Sequence, residues 1–293
     1  MTEGGGLAAV TRKAGPRNSL TVDLEEWFHI CGIESLGSHR WDFLPSRIVP
    51  TTNSLLDLLD RSQVRATFFA VGWIAERHPK LIQAIASAGH EIGSHGYWHR
   101  RVYELDRKAF VDDVVASREA IAAGGVKTIT AFRAPEWSIN DRSMWALDEL
   151  VRLGFQIDAS MAPLKMVGSV TYPRQPHLRE SASGSIVEVP PLVADRFGQV
   201  MPLGWGWGLR MSSPARVLRT IEALNERGQS GVLTIHPWEI DPDPPRVKLP
   251  AGLRFAHYFR LSGFRERLSA ILAGARFGPI SLLESSDTVT TPG

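Results

Sequence analysis

A single cysteine, Cys31, in 293 residues cannot form an intramolecular disulfide and rules out cysteine-rich structural zinc sites. Any metal must therefore sit on histidines and carboxylates. Net charge is scarce as well, since 33 lysines and arginines against 31 aspartates and glutamates leave only +2. A protein held mainly by phosphate contacts needs a basic excess on one face, so nucleic acid is excluded as the principal partner. No stretch approaches the roughly 18 apolar residues of a membrane-spanning helix. The opening MTEGGGLAAVTRKAGPRNS places a short apolar run before its basic residues, too brief for a signal-peptide core. The expectation is a cytoplasmic protein, stationed at the furthest on the inner face of the membrane, with no transmembrane segment.

What the chain does have is a folded, soluble composition, 43% hydrophobic and 22% charged, with nine tryptophans and nine histidines recurring beside expected strand ends. Residues 1–18 are Gly-rich and polar and read as a loose tail. From Ser19 a β-type run is repeatedly followed by a helix-type run with apolar residues three and four apart. Strands are expected at SLTVDL (19–24), RATFFAV (65–71), HEIGSH (90–95), TITAFR (128–133), FQIDA (155–159), SIVEVP (185–190), GVLTIH (231–236) and PISLL (279–283). Helical stripes fall between them, as in Leu55/Leu58/Leu59, Phe110/Val114/Ile121 and Val217/Ile221/Leu224. Asp106, Asn140 and Ser213 stand as N-caps, the last followed by Pro214 in the first turn.

Strands alternating with helices imply a mainly parallel sheet, and this number of units without internal repeats points to an α/β barrel, distorted by its irregular connections. No linker divides the chain, so residues 19–288 are expected to form one domain. Four connections are longer than economy requires: Phe28 to Pro50, Met161 to Gly184, Pro191 to Ser212 and Pro237 to Arg260. Each follows an expected strand, where an α/β barrel builds its active site.

Five segments carry chemistry. SLTVDLEEWFH ends a strand in Asp23, Glu25 and Glu26, and a period of two puts Asp23 and Glu25 on one face. Such a cluster also serves as a solvated edge or a helix cap. GSHGYWHR supplies His95 and His99, whose spacing puts two imidazoles on one side of a helical turn, within reach of one cation. With one carboxylate they make a set of three ligands that leaves room for water and a substrate oxygen. TAFRAPEWSIN ends a strand in Arg133, which can keep a neighbouring aspartate ionised and oriented or form an ordinary salt bridge. FQIDASMAP offers Asp158, and GVLTIHPWEID offers His236 directly after an apolar strand. Trp205 and Trp207 in LGWGWGLR suit stacking on a sugar ring, although tryptophans usually pack. Cys31 has no motif-like base beside it and is a poor nucleophile.

Taken in order, TVDLEE, SHGYWH, FRAPEW, DASMAP and LTIHPWE resemble the motifs of the polysaccharide deacetylase superfamily, carbohydrate esterase family four, over about residues 19–240. VDLEEWFH, FRAPEWS, IHPWEID and the later HYFRL look most like the subfamily found with exopolysaccharide and exosortase gene clusters, which makes the residues after about 240 an extension of the barrel. The resemblance implies a distorted (β/α) barrel and a polysaccharide N-deacetylase acting on an N-acetylated glycan with a divalent metal, first of all Zn2+. It implies Asp23 as general base, Glu25, His95 and His99 as metal ligands, and Arg133 as the residue positioning Asp23. His236 is then the general acid with Asp158 as its orienting partner, and the backbone N–H of Glu136 helps hold the oxyanion, with Trp137 and Trp238 beside the substrate. Many members carry consecutive aspartates in the first motif, whereas this chain reads Asp-Leu-Glu-Glu; face alternation favours Glu25 over Glu26 as ligand. Two other readings share the fold: a hydrolase of a small cyclic or formylated amide, and a silent glycan-binding module, against which the joint retention of base, ligands and acid speaks.

Overall fold

The computed structural model describes residues 18–241 and 243–284. Its strands are β1 (Asn18–Leu24), β2 (Thr67–Ala70), β3 (Glu91–Ser94), β4 (Ala131–Phe132), β5 (Ile157–Asp158), β6 (His177–Ser181), β7 (Gly184–Glu188), β8 (Val193–Arg196), β9 (Gln199–Pro202), β10 (Val232–Ile235) and β11 (Phe277–Gly278). The helices are α1 (Ile48–Arg61), α2 (Gly72–Arg77), α3 (Pro79–Ser87), α4 (Arg107–Ala123), α5 (Trp145–Arg152), α6 (Gly206–Met211), α7 (Pro214–Asn225), α8 (Ala251–Tyr258), α9 (Phe264–Gly274) and α10 (Ser281–Glu284).

Alternation along β1 decides where each residue goes. Leu20, Val22 and Leu24 are fully buried in a cluster with Leu55 and Leu59 of α1, Ile82 of α3, Val217 of α7 and Leu268 of α9. The residues between them face the other way: Thr21 Oγ1 meets Thr234 Oγ1 at 2.9 Å, and Asp23 meets Arg133. β2 repeats the division, with Phe68 in the helix-facing cluster and Phe69 in a second one with Ala131, Ile157, Val187 and Val232. Burying each of these side chains is worth roughly 1.5–3 kcal/mol, which fixes the register of the central strands. At β3 only glycine fits: a Cβ on Gly93 would lie 2.6 Å from the Ala131 carbonyl oxygen and 2.8 Å from the Phe69 ring.

The strands follow the order β10-β1-β2-β3-β4-β5-β7-β6, with β11 also pairing with β1. All pairings in this sheet are parallel except the β6–β7 hairpin. Among the described residues no ladder closes the barrel. Between its ends the chain after β7 makes single bonds, Leu192 N–H to the Val232 carbonyl (2.9 Å) and Thr234 N–H to the Gly204 carbonyl (2.8 Å). The parallel strands put the C-terminal ends of β1, β3, β4, β5 and β10 on one rim, the rim on which such folds place their sites.

Seven expected strands form, and the eighth is corrected. PISLL is not a strand: pairing with β1 ends at Gly278, Pro279 intervenes, and Ile280 and Leu283 are buried at the three-residue spacing of α10. Asp106 and Ser213 cap α4 and α7 by accepting from Ala109 N–H and Arg216 N–H. Asn140 does not cap α5, which begins at Trp145; its side chain accepts from Arg142 N–H in a local turn. The long connections hold structure that periodicity did not signal, including the β8–β9 hairpin, α6 and α8.

Candidate active site

Glu25 follows β1 and is nearly buried, with its two oxygens facing three imidazoles. Its Oε2 lies 2.6 Å from His99 Nε2 and 4.0 Å from His95 Nε2, and its Oε1 lies 3.3 Å from His236 Nε2. Glu25, His95 and His99 each present one ligand atom, and these lie within 4.8 Å of one another. Burial alone would raise the Glu25 carboxyl, but His99, His236 and His95 outweigh it and hold it low. Two imidazoles and a carboxylate suit zinc in an open site, with a position left for water or substrate. His95 meets the ligand requirement directly, because its Nδ1 is bonded to the Arg133 carbonyl (2.8 Å), leaving Nε2 toward the cluster.

Glu26 takes the other role open to that acidic run. It accepts from Ser46 Oγ and from the N–H groups of Arg47 and Ile48 at 3.0–3.2 Å, and so holds the first turn of α1. The two histidines also meet differently from expectation. His95 to His99 is a turn rather than helix, with Gly96 at φ +69° and His99 at φ +49°. Asp113 of α4 fixes it by accepting from Tyr97 N–H (2.7 Å) and Trp98 N–H (3.2 Å).

Arg133 is completely buried. It donates to Asp23 Oδ1 (2.8 Å), Thr21 Oγ1 (2.8 Å), Thr234 Oγ1 (3.2 Å) and the Ala159 carbonyl (3.0 Å). Asp23 Oδ2 faces the site, 3.9 Å from His236 Nε2.

Asp158 requires a correction. It is not the partner of His236: its Oδ1 accepts from Ser160 Oγ, and it pairs across β5 and β7 with Glu188. Burial raises both carboxyls, and the neighbouring Asp158 drives Glu188 further, well above its usual range. The partner of His236 is Glu239, whose Oε2 lies 3.0 Å from His236 Nδ1 and also accepts from the His236 N–H (3.0 Å). Glu239 is fully buried, and its Oε1 accepts from Arg210 Nε at 2.8 Å. Burial would lower the His236 imidazole, but Glu25, Glu239 and Asp23 push it up to about 9.

A cavity of about 120 Å³ joins Asp23, Glu25, His95, His99, Glu136 and His236. Pockets that enclose a whole ligand run from roughly 300 Å³, so this one takes a small group while the remainder lies outside. Trp137 and Trp238 line it, and Trp238 stacks on His236 (5.2 Å) and on His257 of α8 (4.2 Å). Glu136 sits at φ +53°, its carboxylate on Arg101 (2.6 Å), and its backbone N–H donates to no acceptor among the described residues. Trp205 is buried behind Trp137 (4.6 Å) and bridged to Thr234 through its backbone, so it packs the wall rather than offering an open face. Trp207 is half-buried and does not line this cavity. Sequence reasoning missed His29, a buried imidazole stacked on His99 (5.6 Å), whose signal was its place five residues after an expected strand. Cys31 lies on His99, its Sγ 3.6 Å from Nδ1, and burial pushes the thiol up, away from nucleophilic character.

Two family profiles match the chain: Polysaccharide deacetylase over residues 40–156 and a domain of unknown function, DUF3473, over residues 159–283. They meet at β5, whose bonds to β4 and β7 carry one sheet across the boundary. A peptidoglycan-N-acetylglucosamine deacetylase of Bacillus cereus is 33% identical over 70 residues, 24% of this chain and 26% of that protein. A chitooligosaccharide deacetylase of Rhizobium leguminosarum bv. trifolii is 28% identical over 109 residues, 33% of this chain and 51% of that one. The chain thus spans about a quarter and about half of the length of these curated relatives. A Mycobacterium smegmatis structure assigned to the polysaccharide deacetylases superimposes with a TM-score of 0.62 at 21% identity, covering 98% of this chain and 96% of that one, which establishes the shared fold. The chain belongs to the polysaccharide deacetylase superfamily, carbohydrate esterase family four, and joins that profile to a DUF3473 segment, a pairing typical of the exopolysaccharide-associated subfamily.

Proposed function

We propose that this protein is a metal-dependent amidohydrolase that removes N-acetyl groups from N-acetylhexosamine units of a polysaccharide or its precursor. The carrying observation is that Asp23, held by Arg133, and His236, held by Glu239, flank one Glu25/His95/His99 cluster within a cavity sized for a small group. The printed names of the curated relatives, deacetylases of peptidoglycan N-acetylglucosamine and of chitooligosaccharide, support that substrate class.

Glu25, His95 and His99 would hold the divalent ion, with zinc favoured by the donor set. A zinc ion supplies two things to amide hydrolysis, polarisation of the carbonyl and a lowered pKa of water. The protein residues do the remainder. Asp23 uses its open oxygen to take the proton of the attacking water, while Arg133 aims the carboxylate from 2.8 Å. The Glu136 N–H stands ready for the carbonyl oxygen as charge gathers there, a contribution of roughly 10²–10³-fold per donor. His236 delivers a proton through Nε2 to the departing amine, with Nδ1 fixed by Glu239. Trp137 and Trp238 give the sugar an apolar wall at the mouth.

The test is acetate release from a panel of N-acetylated glycans, N-formyl amines and cyclic amides. Turnover confined to N-acetylhexosamine oligomers is expected; turnover of the small amides alone would replace this reading with another of the same chemistry.

A further inference from the structure

α8 and the residues around it form an outer face with a composition unlike the remainder of the chain. Between Asp243 and Glu266 there is no carboxylate, while Arg246, Lys248, Arg254, Arg260 and Arg265 all fall in that run, in a protein whose net charge is only +2. Arg246, Lys248, Arg254 and Arg260 are exposed. Among them stand Leu253 (39% exposed), Phe255 (44%) and Phe259 (38%), with Met211 (41%) adjoining through the bond from Arg260 to its carbonyl. Phe255 and Phe259 stack on each other at 4.5 Å, so their phenyls make one apolar projection. Phe43 and Phe197 are more exposed singly, but each lies beside an aspartate, Asp42 and Asp195.

The inner side of the same helix belongs to the site. His257 is buried, lines the cavity and stacks on Trp238, and Arg210 ties the carbonyls of Ala256, His257 and Phe259 to Glu239. One short helix thus has the cavity behind it and a basic, aromatic surface in front.

We propose that this α8 face docks on an anionic lipid surface, Phe255 and Phe259 entering the interface and the four exposed cations facing the headgroups. Juxtaposed cations gain about 1 kcal/mol each near such a surface, and exposed apolar side chains on a basic helix gain further by entering the headgroup layer. An acidic polymer in solution would engage the cations and leave the phenyls in water. A second copy seated on the same face would set arginine against arginine. Docking would hold the cavity mouth beside a membrane-borne glycan, and that consequence rests on the deacetylase reading, whereas the lipid contact does not.

The test is sedimentation of the full chain with phosphatidylcholine vesicles and with vesicles carrying about 30 mol% phosphatidylglycerol. Binding to the anionic vesicles is expected, with loss at high salt and little binding to the neutral ones. Each cation removed should weaken it roughly fivefold, so Lys248→Ala/Arg254→Ala should lose about 25-fold. Leu253→Ser/Phe255→Ser should lose at least tenfold while acetate release from a soluble oligosaccharide stays at the wild-type level. Equal sedimentation of wild type and both variants overturns the proposal. So does a wild-type dimer in light scattering that Leu253→Ser/Phe255→Ser abolishes while vesicles bind neither protein. Failure of acetate release with lipid binding intact would strike the deacetylase reading alone.

Discussion

Asp23 has one oxygen committed and one open, and that asymmetry follows from the strand it ends. Oδ1 receives Arg133 at 2.8 Å, while Oδ2 looks toward His236 and the ligand cluster. Asp23→Asn keeps an oxygen for Arg133 and removes the base, so kcat for acetate release should fall by roughly 10²–10⁴-fold while the protein still takes up its metal ion. Glu239→Gln should act more selectively. It frees His236 Nδ1 from its carboxylate, so cleavage of the amide, whose leaving nitrogen needs a proton, should slow far more than cleavage of an activated acetyl ester; equal losses would remove His236 from the acid role. Away from the site, His90 is nearly buried with Nδ1 accepting from Ala66 N–H, and burial, then Arg65, lowers its pKa from 6.5 to about 4. The fold therefore favours neutral His90, while the unfolded chain takes up a proton below 6.5. Its stabilising contribution is full above 6.5 and is lost as pH falls toward about 4. Denaturant midpoints across that window should decline less steeply in His90→Asn than in wild type.

At the scale of elements, the ends of strands were legible and the partners across loops were not. β1, β2, β3, β7 and β10 could be read because they are short β-type runs bounded by turn residues, and their C-terminal ends named Asp23, Glu25, His95 and His236. β6, β8 and β9 escaped because their residues are mostly exposed or half-buried, and PISLL misled because buried residues three apart fit either element over so short a span. Glu239 was within sight, three residues after His236, as the carboxylate closing a capping box. Arg210 and His257 were not, since Arg210 lies 29 residues from Glu239 and 47 from the His257 carbonyl. Asp158 was misassigned because a strand-end aspartate says nothing about the neighbouring strand, where Glu188 waits. The buried Arg210–Glu239 pair makes a sharp test: Arg210→Met strands the Glu239 carboxylate and loosens α8, which should cost roughly 3–5 kcal/mol in denaturant unfolding.

For the molecule as a whole, both family segments contribute side chains to one candidate site. Asp23 and Glu25 precede both matched segments, His95, His99 and Arg133 lie in the first, and His236, Glu239 and Arg210 come from the second. A ligand that binds only the folded chain stabilises it, so added zinc should raise the thermal midpoint of wild type and leave His95→Ala unmoved. No helix among the described residues is long and apolar enough to cross a membrane. The central claim meets its most direct test in acetate release from N-acetylglucosamine oligomers by metal-analysed protein, measured before chelation, after it and after zinc is restored. About one zinc-like ion per chain, loss of acetate release with the ion and recovery with zinc are the predicted results. Undiminished release from metal-free protein would contradict the Glu25, His95 and His99 assignment and the proposed chemistry with it.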